Sequence, residues 1–432
     1  MKKYLVIVMS ILFVYAGNVF ALGAGGYRNE VVDAEASGKG YCFTAQADGP
    51  SAVHYNPAGL TQLKGSYIST GYMMEAPRFE CDSAATGDTV QMQKQLFWLP
   101  HVYFVSDFKS EDFRFGFGAN SPYGLSTDWA GDSFTRYISE ESDVKMVNFN
   151  PVVAYKVNDY LSVGAGVDYF TANISKHRRI FDTLSDNDGD FQLKGNDEAW
   201  GYNVALLVKP SERHSIGLSY RSEIDLTYKG TVTLDNLNPT GLAIFGGTAY
   251  STAMESDSTI PRSLALGYAY KPNDRWTIET DVEWTDWSCV EEEFIKFPDL
   301  TDATDPTGLR RASLNAGNPA SRDWHDGYAY GIGAEYKTTD NLDLRCGFLY
   351  ETSPIPTVNW EPVLPDANKY GLTFGLGYLF KDFKIDASYS FFKYKDRYIT
   401  NDAGSATSTT INADGTYKGY ANIAGVTVTY MY

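Results

Sequence analysis

Leu372-Thr-Phe-Gly-Leu-Gly-Tyr-Leu-Phe380 alternates strictly. Leu372, Phe374, Leu376, Tyr378 and Phe380 share one face, and Thr373, Gly375, Gly377 and Leu379 share the other. A period of two is the strand signature, because successive side chains of a strand point to opposite sides. The pattern returns in Leu264, Leu266, Tyr268 and Tyr270 against Ala265, Gly267 and Ala269. It returns again in Tyr328, Tyr330, Ile332, Ala334 and Tyr336 against Ala329, Gly331, Gly333 and Glu335, and in Ile385, Ala387, Tyr389 and Phe391 against Asp386, Ser388 and Ser390. One face is apolar with aromatic ends and the other is small or polar. A soluble sandwich also alternates, so the connections must decide between the two architectures.

Those connections fall into two classes. Six are short and polar, around 107–112, 158–160, 210–214, 272–275, 338–341 and 381–382. Between them lie long segments rich in Asp, Ser, Thr and Gly at 76–93, 123–142, 180–197, 236–253, 298–320, 355–366 and 400–415. Short turns alternating with long loops is the arrangement of outer-membrane barrels, with turns in the periplasm and loops outside. The pattern predicts an all-β protein, a transmembrane antiparallel β-barrel of about 14 strands with both ends periplasmic. The end of the chain agrees: Val426, Val428, Tyr430 and Tyr432 share one face of a final strand that closes on an aromatic. A strand of that form is similar to the signal read by the outer-membrane assembly machinery, which is thus an expected partner.

Composition fits. Aromatics are 15% of the 432 residues, with 32 Tyr and 24 Phe, and Gly is 39. Yet mean hydropathy is only −0.30. In a barrel only alternate residues meet lipid and aromatic girdles mark both interfaces, so long apolar runs are not needed. A net charge of −18 argues against a nucleic-acid partner.

The N-terminus sets the compartment. Met1-Lys2-Lys3 is a short positive region, Tyr4 to Tyr15 is almost wholly apolar, and Val19-Phe20-Ala21 offers a cleavage site after Ala21. Residues 1–21 are predicted as a cleaved secretory signal; the apolar run is too short for a spanning helix. The next stretch, 22–62, is rich in Gly, Ala, Ser and Asp with faint alternation, and too short for a domain of its own. A 14-strand lumen is too wide to fill with inward side chains. Residues 22–62 are therefore expected to form a small hatch (plug) inside the lumen of a barrel spanning 63–432, the alternative being a loose periplasmic leader. Cys42, Cys81, Cys289 and Cys346 are too few for a disulfide scaffold, and sequence leaves their pairing open.

At Asn56-Pro-Ala-Gly-Leu60 the chain resembles the FadL-type outer-membrane long-chain fatty acid transporters, a family that includes uptake channels for aromatic hydrocarbons. Further matches follow in order: Ser121-Pro-Tyr-Gly-Leu125, Asn150-Pro-Val-Val-Ala-Tyr155, Leu161-Ser-Val-Gly-Ala-Gly166, Pro261-Arg262 with Trp284-Thr-Asp-Trp287, Asp323-Trp-His-Asp326, and Tyr350-Glu-Thr-Ser-Pro-Ile-Pro356 with Leu364-Pro-Asp366. The resemblance implies a monomeric 14-strand barrel, an N-terminal hatch, and passage of ligand sideways into the outer leaflet.

The candidate ligand-binding and gating residues are Asn56, Pro57, Ala58, Phe97, Trp98, Leu99, Pro100, Arg178 and Arg179. The family's hatch motif carries over onto Asn56, Pro57 and Ala58. Pro57 fixes φ and Asn56 can bond its own turn, a stiff corner suited to holding a plug against the wall. Pro100 lies within a strand-like run, 95–105, where proline marks a bulge, a kink or an edge. The resemblance places the family's inward kink in this region; a proline at the membrane interface is the other reading, and a pocket role for the stretch would make Phe97, Trp98 and Leu99 its lining. Lys176-His177-Arg178-Arg179 sits just below a long outer loop. One reading is carboxylate capture at the ligand's entrance; the other is a basic girdle on lipid phosphates. Arg136 and Arg262 are further cationic candidates.

No HExxH, GxSxG or phosphate loop occurs, so no enzyme and no cofactor are expected. The function expected is passive uptake of hydrophobic molecules, long-chain fatty acids first, across the outer membrane of a Gram-negative cell. Aromatic hydrocarbons by the same route, or a general polar porin, are the alternatives. Outer-membrane lipid and lipopolysaccharide are the expected surroundings.

Overall fold

In the computed structural model the apolar faces point outward. Leu372, Phe374 and Leu376 are exposed, as are Leu264, Leu266 and Tyr268, while Thr373, Ala269, Asp386 and Ser390 on the opposite faces are buried. A sheet that exposes its apolar side and buries its polar side is built for lipid. The structure describes residues 25–29, 31–181, 188–403 and 412–432. The predicted signal, 1–21, lies outside the described residues.

Fourteen antiparallel strands close the barrel. The first four are β1 (Ser66–Ser83), β2 (Phe97–Ser106), β3 (Phe113–Asn120, resuming as Gly124–Asp128) and β4 (Glu141–Lys156). Then come β5 (Leu161–Ile180), β6 (Gly189–Ser211), β7 (His214–Arg221, then Ile224–Asp235) and β8 (Tyr250–Ile260, then Ser263–Asn273). β9 (Trp276–Thr285), β10 (Gly327–Thr339), β11 (Leu342–Glu351), β12 (Lys369–Phe380), β13 (Phe383–Tyr394) and β14 (Gly415–Met431) complete the wall. β14 pairs with β1 from Tyr67↔Met431 to Ser83↔Gly415, which shuts the cylinder.

The six predicted turns fall between strands as expected. The long loops are shorter than predicted at several places: β1 runs on to Ser83, and β6 already begins at Gly189. In these extensions the outward face has turned polar, as at Arg78, Glu80 and Asp82, while Phe79, Cys81 and Leu193 face inward. The lipid-facing pattern that reveals a strand is therefore gone although the ladder continues. The loop before β10 is longer than predicted, occupying 286–326. All four cysteines are unpaired, with Cys42 and Cys81 buried.

The N-terminal segment packs inside the barrel. Two short helices, α1 (Ala34–Ser37) and α2 (Ala52–Tyr55), and a 3-10 turn at Pro57–Gln62 are almost wholly buried. The small inward residues of the wall make room for it. Gly375 stands against Gly38, Gly333 against Lys39, Gly347 against Gly40 and Gly217 against Thr44. Charges then fix its place. The Asp281 carboxylate accepts from the N–H groups of Phe43 (3.1 Å) and Thr44 (3.0 Å), and Glu279 from those of Ala45 (2.6 Å) and Gln46 (3.1 Å). Glu35 pairs with Lys384 at 2.7 Å and Arg345 at 3.1 Å; Arg345 also binds Glu335 and Asp386, each at 2.7 Å. Buried charges persist only when paired and hydrogen-bonded, and removing one partner of such a set strands the rest.

Candidate ligand-binding site

Above the N-terminal segment, in the outer half of the barrel, lies a cavity of about 280 Å³. Its wall is mostly apolar: Leu125 of β3, Val144 and Met146 of β4, Ile174 of β5 and Tyr228 of β7. Two loops roof it. Val290 and Trp324 come from the loop before β10, and Ile355, Val363 and Leu364 from the one before β12. Tyr27 forms part of the lining and stacks edge-on against Trp287 at 4.8 Å. The rest of the lining is polar or charged, including Ser256, Asp257, Ser258, Thr259 and Asn359, so the pocket joins an apolar wall, which suits a hydrophobic ligand, to polar groups.

Four of the cavity's charged groups form one ion-paired set. Lys176 and Arg322 both bind the Glu293 carboxylate, Arg322 at 2.7 Å, and Arg322 also reaches Glu361 at 2.9 Å. Burial pushes the Glu293 carboxyl up, but the two cations outweigh it and hold it well below the usual carboxylate range. The Trp324 indole N–H is buried without a hydrogen-bond partner. A bare donor lining the same cavity as two cations is chemistry that a carboxylate satisfies.

The wall opens beside this cavity. β2 and β3 pair only from Val102↔Ala119 to Ser106↔Phe115, then separate. They meet again at Met92↔Trp129, where Gln93 N also donates to Asp128 O at 2.7 Å. On its other side β3 stays with β4 through Gly124↔Lys145 to Asp128↔Glu141, after one extra residue in 121–123. Such a bulge bends the strand that carries it. The bent stretch is paired instead to the N-terminal segment: Asn29 N donates to Pro122 O (2.7 Å) and Gly124 N to Tyr27 O (2.9 Å).

The break in the ladder thus lies at 121–123 in β3, one strand on from the run holding Pro100. Pro100 is paired in β2, opposite Tyr72 of β1. Because Asp107 N donates to Gly65 O, odd residues of β2 turn their N–H to β1 and even ones turn away. Pro100 therefore presents its missing donor to the gap. A closed barrel was expected to offer proline no edge; the departure of β3 creates one locally.

The remaining candidates separate. Phe97 and Leu99 are buried in one apolar cluster with Leu125, Ile355 and Leu364 of the cavity. Trp98 faces lipid, edge-on to Tyr72 at 6.2 Å. Asn56, Pro57 and Ala58 sit away from the cavity, on the wall. The Asn56 amide donates to Thr44 O (2.7 Å) and Leu206 O (3.0 Å) and its oxygen accepts from Ala58 N, while Ala58 and Pro57 pack on Gly164. Arg178 lies on the Lys176 face of β5 and rests over the Phe191 ring at 4.6 Å. Arg179 is on the other face, bound to Glu140 (2.6 Å) and Asp190 (2.7 Å). Arg136 and Arg262 are likewise engaged, with Asp188 and Asp286. Residues the sequence did not single out are Tyr27, Glu293 and Arg322; Trp324 lies in the Asp323-Trp-His-Asp326 match but was given no role there. Lys176 was visible in its cluster, and the parity of Phe170 and Ala172 marks it as inward.

A barrel closed by lipid-facing strands, with a roofed apolar cavity beside a break in its wall, defines an outer-membrane channel for hydrophobic molecules. The chain belongs to the family described as outer membrane protein transport protein (OMPP1/FadL/TodX), whose model matches residues 16–432. It is 26% identical to the long-chain fatty acid transport protein of Escherichia coli O6:H1 over 89% of this chain and 90% of that one. Among solved structures it resembles a Pseudomonas aeruginosa FadL homologue, with a TM-score of 0.81 at 19% identity over 94% of this chain and all of the other. The Ralstonia pickettii toluene transporter TbuX gives 0.68 at 18% identity, over 93% and 99%. The protein is a transporter of the outer membrane and not an enzyme.

Proposed function

We propose that this protein takes up long-chain fatty acids by passive diffusion. The ligand is caught beneath the outer loops, rests in the cavity with its carboxylate towards Lys176, Arg322 and the Trp324 N–H, and leaves sideways between β2 and β3 into the outer leaflet. The carrying observation is the donor cluster at one edge of an apolar cavity. Arg178, on the same face of β5 as Lys176, supplies positive potential nearby. The N-terminal segment acts as a hatch that denies the axial route, so the side opening is the exit. A polar porin would need a water-filled lumen, which this buried segment occupies.

The paired state of Lys176 and Arg322 favours a second reading, aromatic hydrocarbons, since a neutral ligand asks for no free cation. Competition between oleate and toluene on purified protein separates the two. Hydrogen bonds to charged groups are worth about 1.5–3 kcal/mol, so Arg322→Gln with Lys176→Gln should weaken oleate binding roughly tenfold or more. Toluene binding should stay within about twofold, because the apolar wall is untouched. Equal loss of both ligands would show that the pair serves only to hold the loops, and wild-type affinity for oleate would remove the carboxylate site.

A further inference from the structure

β4 to β7 rise beyond the aromatic girdle, and their outward faces carry a second polar site. One rung aligns Lys145, Asn173, Asn196 and Lys229 across four strands; the next aligns Ser175, Lys194 and Thr231. Lys145, Asn173, Ser175, Lys194, Asn196 and Thr231 line a depression of about 410 Å³. Among the described residues none of these six side chains has a hydrogen-bond or ion-pair partner. By contrast, three other outward lysines are ion-paired: Lys418 with Asp82 at 2.7 Å, Lys296 with Asp257 at 2.6 Å and Lys229 with Glu255 at 3.7 Å. The one carboxylate in the depression, Asp143, is outnumbered by two ammonium groups.

Height identifies the occupant. Two rungs below the lower row, Phe149, Tyr169 and Trp200 form a continuous aromatic belt, with centroids 6.2 and 4.5 Å apart. Such rings sit at the membrane interface. From Tyr169 to Asn173 is about 13 Å along the strand, or roughly 10 Å along the barrel axis at the usual tilt. That places the free lysines and amides among headgroups of the outer leaflet, facing outward. We infer that this depression binds the phosphate and adjoining sugar of a phosphorylated outer-leaflet glycolipid. The ammonium groups of Lys145 and Lys194 meet the phosphate, and Asn173, Ser175, Asn196 and Thr231 meet sugar hydroxyls. The site is separate from the transport cavity and lies on the other side of the wall.

The test uses full-length protein in detergent and native mass spectrometry of bound lipid. The probes are a phosphorylated glucosamine-disaccharide lipid, the same lipid dephosphorylated, and inorganic phosphate. Wild type should bind the phosphorylated lipid at least tenfold tighter than its dephosphorylated form. Lys145→Gln with Lys194→Gln should erase that preference, Lys145→Arg with Lys194→Arg should keep it, and the control Lys296→Gln with Lys418→Gln should not change it. Oleate binding should be the same in all. No preference for the phosphorylated lipid in wild type, equal binding by the Gln pair, or equal loss in the control pair overturns the site. Displacement of the lipid by millimolar inorganic phosphate would also overturn it, showing a free-anion site instead. Retention of the heated-versus-unheated gel shift establishes that each variant is folded.

Discussion

Gly217→Val combined with Gly333→Val should turn a closed barrel into a conducting one. A Cβ on Gly217 would stand 1.9 Å from the carbonyl oxygen of Thr44, and one on Gly333 2.1 Å from that of Lys39. Both obstacles are main chain, so no rotamer relieves them. The strands cannot yield easily either: Gly217 is paired on both sides, with Leu207 and Gly267, and Gly333 with Glu279 and Gly347. The N-terminal segment must move. Overpacking costs about 1–3 kcal/mol per site, so two sites shift the docked balance roughly a hundredfold or more. Leaving its seat also strands Glu35, Glu279 and Asp281 opposite partners they no longer meet, which keeps the new state hydrated and open. Planar-bilayer recordings should show a large rise in ion conductance, and oleate binding should fall because Tyr27 leaves the cavity. Leu266→Phe, on the lipid face, should change neither. Unchanged conductance in a double variant that still shows the barrel's gel shift would mean that this segment is not what closes the lumen.

The same glycines show what the sequence made legible. In the quoted strand the face bearing Thr373, Gly375 and Gly377 looked merely small; it is small because Gly38 comes within van der Waals reach of Gly375. The outward faces were readable because lipid imposes one requirement on every strand, so Leu372, Phe374 and Leu376 repeat a pattern seen in Leu264 and Leu266. The site was less readable because it is assembled from distant segments. Arg322 and Trp324 reach the cavity only through a loop folded over Trp287; nothing local marks Arg322, and the Asp323-Trp-His-Asp326 match gives Trp324 no role. Glu293 was one of 54 acidic residues until Lys176 and Arg322 were brought to it. Pro100 lies on one edge of the opening and is an obvious signal, whereas the extra residue in Ser121-Pro122-Tyr123 on the other edge is visible only by comparing its pairing with β4.

That extra residue leads to the second large effect. The pairs below and above the gap, Val102↔Ala119 and Met92↔Trp129, share one register. Between them, edges 94–101 and 120–127 are not bonded as a ladder, and the phase changes on the way. Even residues of β2 turn their N–H to β3 at Val102, whereas Gln93 donates to Asp128 above the gap, after the register with β1 has shifted by one residue. The gap can therefore zip from Val102 upward as far as 97, and the irregularity at 93–96 ends the regular ladder there. The pairs Trp98↔Tyr123 and Pro100↔Ser121 would add about three ladder hydrogen bonds, since Pro100 has no N–H, at roughly 0.5–1.5 kcal/mol each. What holds β3 away is its pairing with Tyr27 and Asn29, together with the burial of Tyr123 and Leu125. Deleting residues 22–29 should therefore close the wall. Leu99 and Pro122 are register partners at a non-hydrogen-bonded position, where Cα atoms lie about 4.5 Å apart in a formed ladder, a separation a disulfide spans. In a background without the four native cysteines, Leu99→Cys with Pro122→Cys should stay reduced and transport labelled oleate when the N-terminus is intact. With 22–29 deleted the pair should cross-link on mild oxidation and uptake should fall to background, then return on reduction only if the edges part again. Pro100→Val by itself should leave uptake unchanged, because its new donor faces an edge that β3 has left. Cross-linking at equal rates with and without residues 22–29 would show that the N-terminal pairing does not set the opening. Absence of cross-linking in both would mean that the bulge at 121–123 keeps β3 bent unaided, so that the opening belongs to the strand and not to its N-terminal partner.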